Sequence, residues 1–151
     1  MPDRVEFKKL VEDLVERVER DLDAKRGPDD KRAPDDAEWI TKRYPKKMRD
    51  VDGTVYDVLF LVLQKGAVRL SLDPVGYDIP GAEAAVDLYL MPTYDPLATF
   101  YSENGYWYVH SSYLPESAAG GSVEEERRAP LSRDALNQVM EAIAEHAVPS
   151  L

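Results

Sequence analysis

One dipeptide constrains the architecture of this chain more than any other: Asn104-Gly105, set inside FYSENGYWYVHSSY, Phe100 to Tyr113. A two-residue type I′ turn needs positive φ at both central positions, which Asn and Gly tolerate, so the flanking residues are expected to pair as a hairpin. The register places Glu103 opposite Tyr106, Ser102 opposite Trp107, Tyr101 opposite Tyr108, Phe100 opposite Val109 and Thr99 opposite His110. Side chains alternate faces along a strand. Ala98, Phe100, Ser102, Trp107 and Val109 therefore share a core-like side. Thr99, Tyr101, Glu103, Tyr106, Tyr108 and His110 share the other, a polar-aromatic ladder in which each tyrosine offers a flat apolar ring and a hydroxyl that needs a partner.

Upstream of the hairpin the period is also two. Residues 54–64 and 67–73 predict a hairpin about Lys65-Gly66, in which Leu59, Leu61 and Leu63 meet Leu72, Leu70 and Val68. On the opposite face Tyr56, Val58, Phe60 and Val62 are apolar while Arg69, Ser71 and Asp73 are polar, a contrast expected of an interior strand beside an edge strand. DPVGYDIPGAEA is a turn-rich connection. Ala85 to Met91 then reads as a strand with Val86, Leu88 and Leu90 inward and Asp87 and Tyr89 outward, and Pro92 and Pro96 bracket the loop into the Asn-Gly hairpin.

Both ends of the chain change to a helical period. From Asp3 to about Arg26, Phe7, Leu10, Val11, Leu14, Val18 and Leu22 recur at three- and four-residue spacing. Asp3 caps that helix, Glu6 is its possible reciprocal partner, and Gly27-Pro28 stops it. A second helix from about Arg133 to Ala147 carries Leu136, Val139, Met140, Ile143 and Ala147, with Ser132 as N-cap and Leu131 placed to staple onto Leu136. Between the first helix and the strands, residues 27–35 read as a loop, followed by a short helix from Asp36 to Arg43 that presents Trp39 and Ile40 to the core and ends at Pro45. Residues 114–130, LPESAAGGSVEEERRAP, have the composition of a mobile linker. No long helical pattern separates consecutive strands, which argues against a doubly wound parallel sheet. The expectation is one α+β domain over residues 1–151, a five-stranded antiparallel sheet flanked by the two amphipathic helices.

Composition bounds the function. The chain has no cysteine, which removes thiolate nucleophiles and zinc ribbons and fits a reducing compartment. MPDRVEFKKL lacks the apolar stretch of a secretory signal. The longest wholly apolar run, Val58 to Leu63, is six residues where a membrane helix needs about 20. A soluble cytoplasmic protein is the expectation. The formal charge of −10 is uneven: residues 50–113 carry nine acids against Lys65 and Arg69, a local −7, whereas KRYPKKMR, Lys42 to Arg49, carries five basic residues and no acid. Net acidity argues against nucleic acid and for basic or complementary protein partners. The basic segment is a candidate anion site, set against the simpler reading that it neutralises Asp29, Asp30, Asp35 and Asp36.

Catalytic and metal patterns are weak. RDVDGTVYD, Arg49 to Asp57, resembles a calcium loop, but with Gly53 as its sixth position the first and twelfth would be Met48 and Leu59, neither of them a ligand. No phosphate loop, nucleophile elbow or histidine-rich zinc pattern occurs, and no cofactor is implied. His146 suits the end of the last helix, where a cation favours the macrodipole. His110 lacks a triad, and Asp57, Asp87 and Glu103 read as solvated acids on strands. The tyrosine ladder remains. If the helices divide between the two faces, the tyrosines are ordinary packing. If both helices lie on the leucine face, Tyr56, Phe60, Tyr89, Tyr101, Tyr106 and Tyr108 face outward and should meet a partner. The function this supports is a non-enzymatic protein-interaction domain of chaperone, adaptor or immunity type. Its binding residues would be Tyr101, Glu103, Tyr106, Tyr108, His110, Tyr89 and Asp87, engaging a protein partner or a second copy. The alternative is a small-molecule-binding protein or hydrolase whose pocket lies between the sheet and the C-terminal helix and uses Asp87, Glu103 or His110.

Overall fold

Asn104 and Gly105 take φ of +52° and +83°, and the strands on either side pair in the register their sequence implies, from Glu103 opposite Tyr106 to Thr99 opposite His110. The computed structural model describes residues 3–26, 38–77, 82–114 and 128–148. Among them are helix α1 (Arg4–Asp21), strands β1 (Lys25–Arg26), β2 (Ile40–Arg49), β3 (Val55–Lys65), β4 (Val68–Gly76), β5 (Ala84–Leu90), β6 (Asp95–Glu103), β7 (Tyr106–His110) and β8 (Arg128–Pro130), and helix α2 (Arg133–His146). The strands form one sheet in chain order, β1 to β8, antiparallel throughout except for the two-residue parallel pair of β1 with β2. The α+β class with an antiparallel sheet and two helices is as expected; the described residues hold eight strands where five were expected.

The added strands are the segments with the least strand-like sequence. Ile40–Thr41 and the eight residues after them form β2, where a short helix was expected to run through Arg43. Antiparallel pairing with β3, from Ile40 opposite Gln64 to Arg49 opposite Val55, overrides the polar composition. Beyond Thr41 no described strand pairs with the other side of β2, so Pro45 sits where a missing amide hydrogen is tolerated. Trp39 is buried as expected. At the other end Arg128–Pro130, expected as linker, pairs with Tyr108–His110, while residues 27–37 and 115–127 lie outside the described residues.

Helix α1 begins as its cap implies, with Asp3 Oδ1 accepting from the Glu6 backbone N–H at 2.9 Å. It ends at Asp21, earlier than the periodicity suggested, because Asp23 takes φ +52° and the Ala24 N–H returns to the Glu19 carbonyl, closing the helix before β1. Helix α2 is capped by Ser132, whose Oγ accepts from the Ala135 N–H at 3.0 Å. The β3–β4 turn is Gly66-Ala67, with Gly66 at φ +58°. Leu63 therefore faces Leu70 and Leu61 faces Leu72, two residues out of the expected register but with the leucine face preserved. Strand β4 is interior, paired to both β3 and β5, so its polar residues mark an open face and not an edge.

The two helices lie on the same side of the sheet. Phe7, Val11, Leu14, Val15 and Val18 of α1 and Leu136, Val139, Met140 and Ile143 of α2 are buried in one core cluster with Leu61, Leu63, Leu70, Leu72, Val86, Leu88, Phe100, Trp107 and Val109. The helices are tied to each other where Arg17 donates to the Leu131 carbonyl at 2.6 Å and Asn137 Nδ2 to the Asp21 carbonyl at 3.1 Å. Burying this layer supplies the main driving force, at about 1.5–3 kcal/mol for each large aliphatic or aromatic side chain. Two polar ties pin α1 to the β2–β3 ribbon. Glu19, buried, accepts from Thr41 Oγ1 at 3.1 Å and from Arg43 at 2.5 and 3.2 Å. At the helix start Arg4 reaches Asp50 at 3.0 Å, and the Tyr77 hydroxyl donates a short hydrogen bond to the same carboxylate.

Tyr77 reaches the helix side because the β4–β5 register shifts between Pro74 and Gly76, re-aiming the residues beyond it against Phe7, ring centroids 5.6 Å apart. A similar change of phase removes Tyr56 from the expected outward set. Strand β4 pairs with β3 only along Leu61–Lys65; before that stretch the buried positions of β3 change phase, with Val58 in the core and Met48 and Tyr56 packed against it. Asp52-Gly53 is part of the β2–β3 turn, with Asp52 Oδ1 capping the Thr54 N–H at 2.8 Å. No group of metal-ligating side chains occurs among the described residues.

Candidate functional site

The face opposite the helices carries every binding residue expected from the sequence. Registers place Asp73, Asp87, Thr99, His110 and Arg128 side by side across β4 to β8, one polar row spanning five strands. Directly opposed Asp73 and Asp87 would repel. Each has an offsetting partner: Lys46 Nζ lies 3.6 Å from Asp73, and Asp87 accepts from the Thr99 hydroxyl at 2.8 Å and the Tyr89 hydroxyl at 2.9 Å. Burial, and then that bond to Asp87, pushes the Tyr89 hydroxyl up to about 12, so Tyr89 is a fixed donor at neutral pH.

Beside the polar row run the aromatics. Tyr101 and Tyr108 stack at 5.5 Å with planes 20° apart, and burial raises the Tyr101 pKa while nearby Arg128 opposes the shift. The Arg128 guanidinium lies over both rings, 4.9 Å from the Tyr108 centroid and 5.5 Å from that of Tyr101. Its Nη2 stands 3.8 Å from Glu103. Tyr106, opposite Glu103 at the hairpin tip, is 70% exposed. Tyr94, which contacts Tyr89 edge-on at 6.0 Å, is 57% exposed. On the far side Tyr44 stacks on Phe60 at 5.2 Å, with Lys42 Nζ over the Tyr44 ring.

Tyr89, Tyr101, Glu103, Tyr106, Tyr108, His110 and Asp87 are thus brought onto one surface. None of them lies between the sheet and α2, where the alternative reading placed a pocket. That space is filled by Leu136, Val139, Met140 and Ile143, each fully or almost fully buried, and Asp87, Glu103 and His110 belong to the opposite face. His146 is an exposed residue 3.4 Å from Glu145 at the end of α2.

The local charge of this surface differs from the −7 of the segment that supplies most of it. Lys46 and Arg128, from outside that segment, stand against Asp73 and Glu103, and Asp50 and Asp52 are used at the start of α1, so the face is mixed and not uniformly acidic. The basic segment Lys42–Arg49 engages the protein's own groups through three of its basic residues: Arg43 with Glu19, Lys46 with Asp73 and the Pro74 carbonyl, and Arg49 with the Gly53 carbonyl. Its expected neighbours Asp29, Asp30, Asp35 and Asp36 lie outside the described residues. Sequence reasoning missed Arg128, which stands in the segment read as linker, and the aromatic role of Tyr44, since Lys42 and Tyr44 were read only as part of a basic segment and not of a strand. The one available signal was the alternation Lys42, Tyr44, Lys46 around Pro45.

The arrangement offers aromatic rings, hydroxyl donors and both charge signs on a sheet surface, a set suited to recognising another protein. Compared with family models, with curated proteins and with solved structures, the chain matches none.

Proposed function

We propose that this protein is a non-enzymatic protein-interaction domain, of chaperone, adaptor or immunity type, that engages its partner through the tyrosine-bearing face of the sheet. One observation carries the reading: both described helices pack on the leucine face, so Tyr89, Tyr101, Tyr106 and Tyr108 stand where no described helix covers them. A sheet needing no partner there is normally polar on its open side. Here the polar row of Asp73, Asp87, Thr99 and His110 is joined by stacked rings, and tyrosine combines large contact area with little entropy to lose on binding.

The Tyr106 side chain tests this without disturbing the fold. The full chain, tagged and expressed in its native cell, should retain a partner or a second copy under conditions in which Tyr106→Ala and Tyr106→Glu retain at least about tenfold less. Equal retention by wild type and both variants contradicts the reading. An aromatic site loses a large contact in the first variant and gains a buried charge in the second.

A further inference from the structure

The hairpin's open face holds a seat for a planar cation, and the chain fills that seat with its own arginine. Tyr101 and Tyr108 supply two ring faces, Glu103 supplies a carboxylate, and Arg128 lies against all three at 5.5, 4.9 and 3.8 Å. Ring faces are negative, and a guanidinium can lie flat along them while pointing its donors at a carboxylate; a compact, strongly hydrated ammonium does this less well. The element that delivers Arg128 is short: β8 is three residues long, pairs with β7 alone among the described strands, and buries only Ala129 of its three residues. Pro130 contributes no amide hydrogen to that pairing. The Arg128 side chain is 54% exposed. The chain is next held at Leu131, whose N–H reaches the Trp107 carbonyl at 2.9 Å, so Arg128 can leave the seat without moving α2.

We propose that Tyr101, Tyr108 and Glu103 form an arginine-recognition seat for an extended segment of a partner protein, occupied by Arg128 until that segment replaces it. The inference rests on the reading of this face as a protein-interaction surface and specifies its partner chemistry: an arginine carried on a strand. Extended geometry follows from the present occupant, since β8 presents its arginine while pairing with the backbone of Tyr108, Val109 and His110. An intramolecular arginine competes at an effective concentration of order millimolar, so only a partner with contacts beyond the seat displaces it. Tyr106, beside the seat at the hairpin tip, is placed to supply one. The internal arginine thereby raises the threshold against stray basic peptides.

The test uses the full chain as wild type and as Arg128→Gln. Each is titrated with a synthetic peptide of the chain's own residues 126–131, Glu-Arg-Arg-Ala-Pro-Leu, and with the same peptide carrying glutamine in place of its second arginine, following the ring protons of Tyr101 and Tyr108 by NMR. Arg128→Gln should bind the arginine peptide about tenfold more tightly than the glutamine peptide, and about tenfold more tightly than wild type does. Adding Tyr108→Leu should erase the discrimination. Arg128→Lys should take up the arginine peptide better than wild type, because its own side chain fills the seat poorly. Tyrosine resonances of Arg128→Gln that answer both peptides equally, or neither, overturn the seat. If Arg128→Gln and Arg128→Lys both lose the folded spectrum, Arg128 is a structural clasp and the proposal is likewise wrong. The interaction face is judged separately by Tyr106→Ala, so either can fail while the other stands.

Discussion

The two faces of the sheet are built from the same strands, yet they are held together by different physics. On the helix side, leucine, valine and phenylalanine from five strands and both helices bury almost completely, and order comes from exclusion of water. On the tyrosine side, side chains remain half-exposed and are positioned pairwise, hydroxyl to carboxylate, ring to ring, and guanidinium to ring. Burial is non-directional and collective, so the first face tolerates no cavities but needs no particular partners. Hydrogen bonds and cation–π contacts are directional and individually small, so the second face has a defined shape at little cost in core stability.

The contrast can be broken by substitution, and the largest losses belong to the helix side. Leu61→Ala and Leu88→Ala, at positions that are 0% and 1% exposed, should each cost about 2–5 kcal/mol in denaturant unfolding. Losses below about 1 kcal/mol at both would mean that the core lies elsewhere. Asp87→Ala comes next: it strips the acceptor from the Tyr89 and Thr99 hydroxyls and should cost about 1–3 kcal/mol, and Asp87→Asn, which keeps an acceptor oxygen, should cost less. An unchanged melting temperature for Asp87→Ala would show that the polar row does not order the face.

Gly105→Val should cost upward of about 1 kcal/mol through the backbone alone. The expectation is specific because a Cβ at Gly105 would meet nothing within 4 Å while φ is +83°. An unaltered stability would contradict the turn. The smallest effect is expected at the tip: Tyr106→Ala should change folding stability by less than about 0.5 kcal/mol, and a loss of several kcal/mol there would place that ring in the fold's own packing.

Titration sharpens the comparison at both extremes of pH. The Tyr77 hydroxyl, and then Arg4, hold the Asp50 carboxyl below the ordinary carboxylate range; its stabilisation is present above its unfolded pKa and lost as pH falls through the folded one. In alkali the sign reverses. Tyr77, chiefly through its hydrogen bond to Asp50, and Tyr89, chiefly through burial, are pushed up to about 12. Their stabilisation is complete below the ordinary tyrosine value of about 10 and is lost as pH rises towards the folded value. Unfolding midpoints measured between those limits should fall with pH in the wild type and fall less in Tyr77→Phe and Tyr89→Phe. Parallel curves would contradict the assignment of both hydroxyls.

What was legible in the sequence follows the same division. The register of β6 and β7 was readable to the residue because Asn104-Gly105 leaves one turn geometry, and the inward set Val86, Leu88 and Leu90 was readable from strict alternation. Strand β2 was hidden because its free edge favours lysine, arginine and proline, the composition that deters edge pairing and also erases the alternating pattern. Strand β8 was hidden because a three-residue edge strand with one buried alanine carries no period at all. Which face the helices cover was left open, since an amphipathic stripe does not say which side of a sheet it meets. A signal was nevertheless present: Arg69, Ser71, Asp73 and Asp87 on central strands argue against a second covered face. Arg128, the residue that organises the tyrosine pair, stood in the segment with the least informative composition.

The central claim is that the tyrosine face is open in the isolated protein and covered in its native setting. Hydroxyl-radical footprinting of the purified chain and of the same chain in native cell extract tests it most directly, with Val5 of α1 and Val148 just after α2, both exposed, as internal references. Tyr101, Tyr106 and Tyr108 should be oxidised in the purified protein and protected severalfold in the extract, while the two valines react equally in both. Equal oxidation of the three tyrosines in both settings would contradict the claim.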